Sequence, residues 1–97
     1  MAREIAVVIN YLSSYDRSFK KLDVPAQRKT VSAINNFLSF LGSRQKPEGL
    51  GLKKIYKNYW EIRINIRNRI IFQLEGGVIN ISFVGDHNAV RVFIRKP

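Results

Sequence analysis

Three arginines, Arg63, Arg67 and Arg69, stand in the segment YWEIRINIRNRIIF at residues 59–72, with Glu61 as its one acid. Read as a strand, the segment places Ile62, Ile64 and Ile66 on one face and Glu61, Arg63, Asn65 and Arg67 on the other. Arg69, after a turn, can return to that second face from the neighbouring strand. Lys53, Lys54 and Lys57 lie just upstream and bring the basic residues between 53 and 69 to six. A guanidinium grips phosphate through a two-pronged hydrogen bond and also stacks on bases. A charged edge that deters aggregation has the same composition, but the use of Arg rather than Lys inside the sheet points to a phosphate ligand. Tyr56, Tyr59 and Trp60 are placed to stack bases, or to serve as ordinary sheet aromatics.

The single histidine, His87, sits in the turn VGDHN. It is either a polar loop residue or a proton-transfer group, since an ordinary imidazole titrates at about 6.5. If the last element lies beside the arginine-bearing strands, Glu61, Arg69 and His87 surround one anion. Such a set suffices to cut RNA without a metal. A base removes the proton of a ribose 2′-OH, which attacks the adjacent phosphorus; arginines stabilise the charge growing on the phosphoryl oxygens; an acid protonates the departing 5′ oxygen. Only RNA carries this internal nucleophile.

Composition sets the frame for that chemistry. The chain has 97 residues, 17 Lys+Arg against 7 Asp+Glu, and a formal charge of +10. Its length is that of a single domain, 1–97, and its apolar content of 45% is enough for a core. The one-sided charge favours a nucleic acid, an anionic surface or an acidic protein partner. There is no cysteine and only one histidine, so thiolate catalysis is excluded and no metal or other cofactor is expected. The apolar run AVVIN is too short to span a membrane, and a soluble, cytoplasmic protein is expected.

The elements that must position these groups follow from periodicity. EIAVVI, residues 4–9, suggests a strand. Ser13 or Ser14 is a candidate N-cap for a helix whose apolar stripe is Tyr15, Phe19 and Leu22. Asp23-Val24-Pro25 ends it. A second helix buries Val31, Ile34, Phe37, Leu38 and Leu41 and leaves Gln27 outside, with Gly42 as its stop. After the loop SRQKPEGLGL the period becomes two. Strands KKIYK, WEIRIN and RIIFQLE follow, then the hairpin signal Glu75-Gly76-Gly77, then VINISFVG with Ile79, Ile81 and Phe83 on one face. The final GDHNAVRVFIRKP fits a short helix or a last strand. The expected fold class is α+β: an N-terminal strand, an αα-hairpin, then a curved antiparallel four-stranded meander, one sheet face under the helices and the other concave and wet.

Through nearly its whole length the chain resembles the RelE/ParE superfamily of toxins from toxin–antitoxin pairs. The resemblance is carried by SFKKL and the helical hairpin, by GLGLKKIYKNYWEIRI and RNRIIF, and by VINISFVGDHNAVRVF. It implies a helical hairpin packed on a curved antiparallel sheet. The RelE branch resembles messenger RNA nucleases, several of which act in the ribosomal A site, so a translation-inhibiting endoribonuclease is expected. On this resemblance Arg63 and Arg69 match basic strand positions, and His87 falls where that branch has Arg or His. Phe93 matches a position held by Tyr in some members and Phe in others, and it can only stack or pack. Glu61 stands where some members have Lys, and is a base, an Arg-orienting partner or a mark of altered chemistry. Lys53, Lys54, Lys57 and Arg67 would position the RNA backbone. The implied partners are a cognate antitoxin, messenger RNA and the ribosome. The ParE branch shares the fold but targets DNA gyrase, and a non-catalytic nucleic-acid-binding module is a further alternative.

Overall fold

The computed structural model describes residues 8–43 and 51–95. In chain order the elements are β1 (Val8–Tyr11), α1 (Ser13–Lys20), α2 (Val24–Ser43), β2 (Lys53–Tyr56), β3 (Tyr59–Arg63), β4 (Asn68–Glu75), β5 (Val78–Asp86) and α3 (His87–Arg95). The five strands form one sheet in the order β1-β5-β4-β3-β2. β2 to β5 are the expected antiparallel meander, and β1 joins it parallel to β5. Residues 4–7 of the first expected strand, and most of the loop before β2, lie outside the described residues.

Local chemistry explains the joints. Gly76 and Gly77 have φ of 53° and 81°, the pair of left-handed conformations that a type I′ hairpin turn requires. Asp23 Oδ1 accepts the Ala26 amide at 2.8 Å and caps α2, whose first turn holds Pro25, where a missing N–H costs nothing. The α1 cap differs from expectation. Leu12 occupies the cap position and contributes no side-chain bond. The serines serve the sheet instead. β1 pairs with β5 only as far as Tyr11 opposite Ile81, which leaves the rest of β5 as an open edge. Ser14 Oγ donates to the Ser82 carbonyl, and Ser18 Oγ accepts the Val84 amide at 3.1 Å. A helix thus satisfies strand groups that water or another chain would otherwise claim.

The main core lies between the helical hairpin and one sheet face. Tyr15, Ala33, Ile34 and Phe37 pack on Ile62, Ile70, Phe72, Ile79, Ile81 and Val84. Phe37 and Phe72 are both 2% exposed, with ring centroids 4.9 Å apart, and truncating either to Ala would cost about 3–5 kcal/mol. Three details of α2 correct the periodicity. Val31 is 48% exposed, and the buried side is Thr30, Ala33, Ile34 and Phe37. Thr30 is admitted because its hydroxyl donates to the Ala26 carbonyl at 2.8 Å. Gln27 is only half outside, held by a bond from Nε2 to the Phe19 carbonyl. Gly42 does not stop the helix, which continues to Ser43.

The other face is not open along its length. A bulge in the β4–β5 ladder pairs Ile71 with Phe83 but Phe72 with Ile81, leaving Ser82 as the extra residue. The parity of β5 reverses there. Ile79, Ile81 and Val84 face the helical hairpin, while Phe83 turns to the opposite face, contrary to the simple alternation. There it packs with Tyr59, Ile71, Val90 and Phe93, so that α3 rests on that side of the sheet. The C-terminal segment is therefore a helix, capped by Asp86 Oδ1, which accepts the Ala89 amide at 2.8 Å. Gly85 permits the approach: a Cβ there would lie 2.9 Å from Phe83 Cε2 and 3.1 Å from Ala89 Cβ.

Candidate active site

α3 covers the Tyr59–Ile71–Phe83 part of its sheet face, and its first turn packs over Gly85 at one end. Across that end runs the row Arg63, Arg69 and Gly85, consecutive partners on β3, β4 and β5. Neighbouring strands are about 4.8 Å apart, so both arginines and the last residues of β5 share a small area. Asn68 pairs with Asp86, and α3 begins at His87. The imidazole-bearing residue therefore follows directly on the strand segment beside Arg69. His87 is exposed and makes no hydrogen bond among the described residues. The positive end of the α3 dipole points to the same end of the sheet.

Arg69 is held firmly. Its side chain is 16% exposed; Nη1 donates to the Asn65 carbonyl at 2.7 Å and to the Asn68 carbonyl at 3.1 Å, and Nε lies 3.5 Å from Glu61 Oε2. Among the described residues Nη2 has no such partner, and no buried side-chain nitrogen or oxygen is left unbonded. Among the described residues, no protein group competes with an oxyanion for the remaining arm of the fork. Glu61 is 8% exposed and serves two cations, Arg69 and the more distant Lys53 at 3.8 Å. It is not on an exposed face, as the alternation implied, but is the internal counter-ion of the arginine.

The turn between β3 and β4 supplies the rest of the frame. β3 ends at Arg63, so Asn65 and Arg67 do not extend its face. Asn65 Oδ1 accepts the amides of Arg67 and Asn68, each at 2.8 Å, which fixes the turn. Ile64 packs on the core, but Ile66, assigned to the buried row, stands 94% exposed at the turn tip. Arg67 is exposed beside it. Arg63 is exposed with its stem against Gly51, where a Cβ would come within 2.8 Å of Arg63 Cβ and where φ is +61°.

Several expected ligand-contacting groups are elsewhere. Lys57 is at the turn between β2 and β3, the far end of the sheet, with Nζ 5.3 Å from the Tyr56 ring centroid. Lys54 is paired opposite Trp60, whose ring faces the hairpin core through Phe72. Phe93 is not available as a free stacking platform: its ring lies 4.7 Å from that of Phe83 at 12°, and Tyr59 meets it edge-on at 6.1 Å. Both Tyr59 and Phe93 hold α3 to the sheet. The backbone acceptors Asn65 and Asn68 and the spacers Gly51 and Gly85 had no signal that isolated them in the sequence beyond residue type.

No protein-family model matches the sequence, and no curated protein matches it. Solved structures do match. The chain is similar to a chain of the RelB–RelE antitoxin–toxin complex from Methanococcus jannaschii (19% identity, 87% of this chain and 96% of that one, TM-score 0.66). It is similar to YafQ from E. coli (14% identity, 88% and 98%, TM-score 0.65). It is also similar to the YoeB dimer from Staphylococcus aureus (22% identity, 84% and 97%, TM-score 0.58). The alignments span nearly the whole of each partner, and the chain has the fold of the RelE-like toxins.

Proposed function

We propose that the chain is the toxin of a toxin–antitoxin pair, an endoribonuclease that cuts messenger RNA on the ribosome and so stops translation. The observation that supports this most is the Arg63–Arg69–Gly85 row, from which the chain runs through Asp86 to His87, with Arg69 braced through Nη1 and Nε. Arg69 binds the scissile phosphate and stabilises the charge that grows on its oxygens; Arg63 assists from the neighbouring strand. The 2′ oxygen gives up its proton, bonds to phosphorus and closes a 2′,3′-cyclic phosphate. The bond to the 5′ oxygen breaks, and that oxygen takes a proton. His87 is the proton-transfer residue. Glu61, buried against Arg69, acts as a positioning residue that fixes the guanidinium. Lys53 and Arg67 attract the RNA backbone. The protein acts in the cytoplasm with a cognate antitoxin as its partner, as the solved complexes of similar chains with RelB and DinJ suggest.

The test is cleavage of a defined message on programmed ribosomes by purified protein. Fragments ending in 2′,3′-cyclic phosphate and 5′-OH are expected, with His87→Ala and Arg69→Ala inactive though folded. An intact message together with inhibited gyrase supercoiling would transfer the protein to the gyrase-poison class.

A further inference from the structure

A groove of about 700 Å³ opens between α1 and α3, along the part of β5 that β1 leaves unpaired. Its volume falls within the range of about 300–1,000 Å³ typical of ligand pockets. One rim is α1 with its C-cap residue, where Ser14, Arg17 and Lys21 line the groove in successive turns. Arg17 and Lys21 are spaced i, i+4, so their stems stand about 6 Å apart. The opposite wall is apolar and aromatic, with Tyr59, Phe83 and Phe93. The direction of α1 follows from its bonds: Ser14 lies at Ser82 and Ser18 at Val84. Lys21 is therefore carried toward Asp86 and the start of α3. That end of the groove includes Gly85 and Asn68, the register partner and chain neighbour of Arg69.

We infer that this groove is a second RNA-binding site, which holds the single-stranded segment next to the scissile link, with Arg17 and Lys21 on successive phosphates. The inference rests on the nuclease reading of the Arg69–His87 end. Two cations at one-turn spacing on one rim, against the single lining carboxylate of Asp86, which is engaged in capping α3, suit a polyanion. Continuity with the arginine row favours the strand already bound there over a separate polypeptide. The aromatic wall is packed too tightly to intercalate bases, so the contribution is to backbone affinity and carries little sequence preference.

The test measures binding of a fluorescent single-stranded RNA oligonucleotide of mixed sequence to the non-cleaving His87→Ala protein across a salt series. Each lost phosphate contact lowers the steepness with which log affinity falls against log salt by about 0.7 for single strands. Adding Arg17→Gln and Lys21→Gln should lower it by about 1.4, with an unchanged melting temperature, and Arg17→Lys with Lys21→Arg should restore it. An unchanged slope overturns the groove while leaving the catalytic end untouched. A failure of the parent protein to bind RNA at all overturns the nuclease reading, and the groove with it. Loss of poly-glutamate binding without loss of RNA binding assigns the groove to an acidic polypeptide and overturns the inference.

Discussion

Removing the Glu61 carboxylate should loosen Arg69 more than it loosens Lys53, and the structure sets the scale. At 3.5 Å and an effective dielectric of about 20, the gross attraction between Glu61 and Arg69 is about 5 kcal/mol. Both groups lie mostly out of water, with side chains 10% and 16% exposed, so desolvation cancels much of this. A net coupling of about 2 kcal/mol remains. Lys53 is 65% exposed and lies at 3.8 Å, so solvent screens it and its coupling should stay below about 1 kcal/mol. The assay is a double-mutant cycle by urea unfolding, with Glu61→Gln, Arg69→Met and Lys53→Met alone and in pairs. Glu61→Gln alone should cost about 2 kcal/mol, because it leaves a largely buried guanidinium with only the Asn65 and Asn68 carbonyls. A coupling to Arg69 below about 0.5 kcal/mol, or a larger one to Lys53, would refute the assignment of Glu61 as the counter-ion that positions Arg69.

Three further outcomes follow from the packing. Ser18→Ala should lose about 1–3 kcal/mol in chemical unfolding, because the buried Val84 amide then has no acceptor; a loss under about 0.3 kcal/mol would mean that water replaces the hydroxyl. Gly85→Val should displace α3, since even a Cβ would press on Phe83 and Ala89; a loss of about 1–3 kcal/mol is expected, seen with a changed near-ultraviolet circular dichroism, and an unaltered spectrum would contradict the close packing. Burial, aided by Tyr11 and Asp16, pushes the Tyr15 phenol up to about 12 from 10.0. The unfolded chain then loses this proton first as pH rises, so the stability that Tyr15 contributes is complete below pH 10 and is lost by about pH 12. Tyr15→Phe should decline less over that window in pH-dependent unfolding, and parallel curves for the two proteins would contradict the shift.

The elements that rest on short-range chemistry were legible in the sequence. Gly76-Gly77 announced its turn because a Gly-Gly pair supplies the positive φ that primed hairpin turns need, and Asp23-Val24-Pro25 announced the join between helices. The features that depend on the register of distant residues were not. The bulge at Ser82 has no composition of its own, yet it moves Phe83 to the face that seats α3. Alternation carried past Arg63 placed Ile66 in the core, whereas Asn65 had already ended the strand by bonding its own backbone. The C-terminal segment was ambiguous because Val90, Val92 and Ile94 are β-branched; packing of Val90 and Phe93 on the sheet, with the Asp86 cap, decides for a helix. At the site, residue types singled out Arg63, Arg69 and His87, and strand pairing places Arg63 and Arg69 side by side. That Glu61 is buried beneath Arg69, and that Lys57 stands at the far end of the sheet, needed the strand pairing.

The central claim concerns what Arg69 and His87 do together at the arginine-bearing end of the sheet. Inducible expression followed by mapping of message 5′ ends tests it most directly, comparing the wild type with His87→Ala and Arg69→Ala. New ends within translated messages should appear for the wild type and vanish for both variants, each present as folded protein. The same pattern of ends from all three proteins, or none from the wild type while growth still arrests, would contradict it.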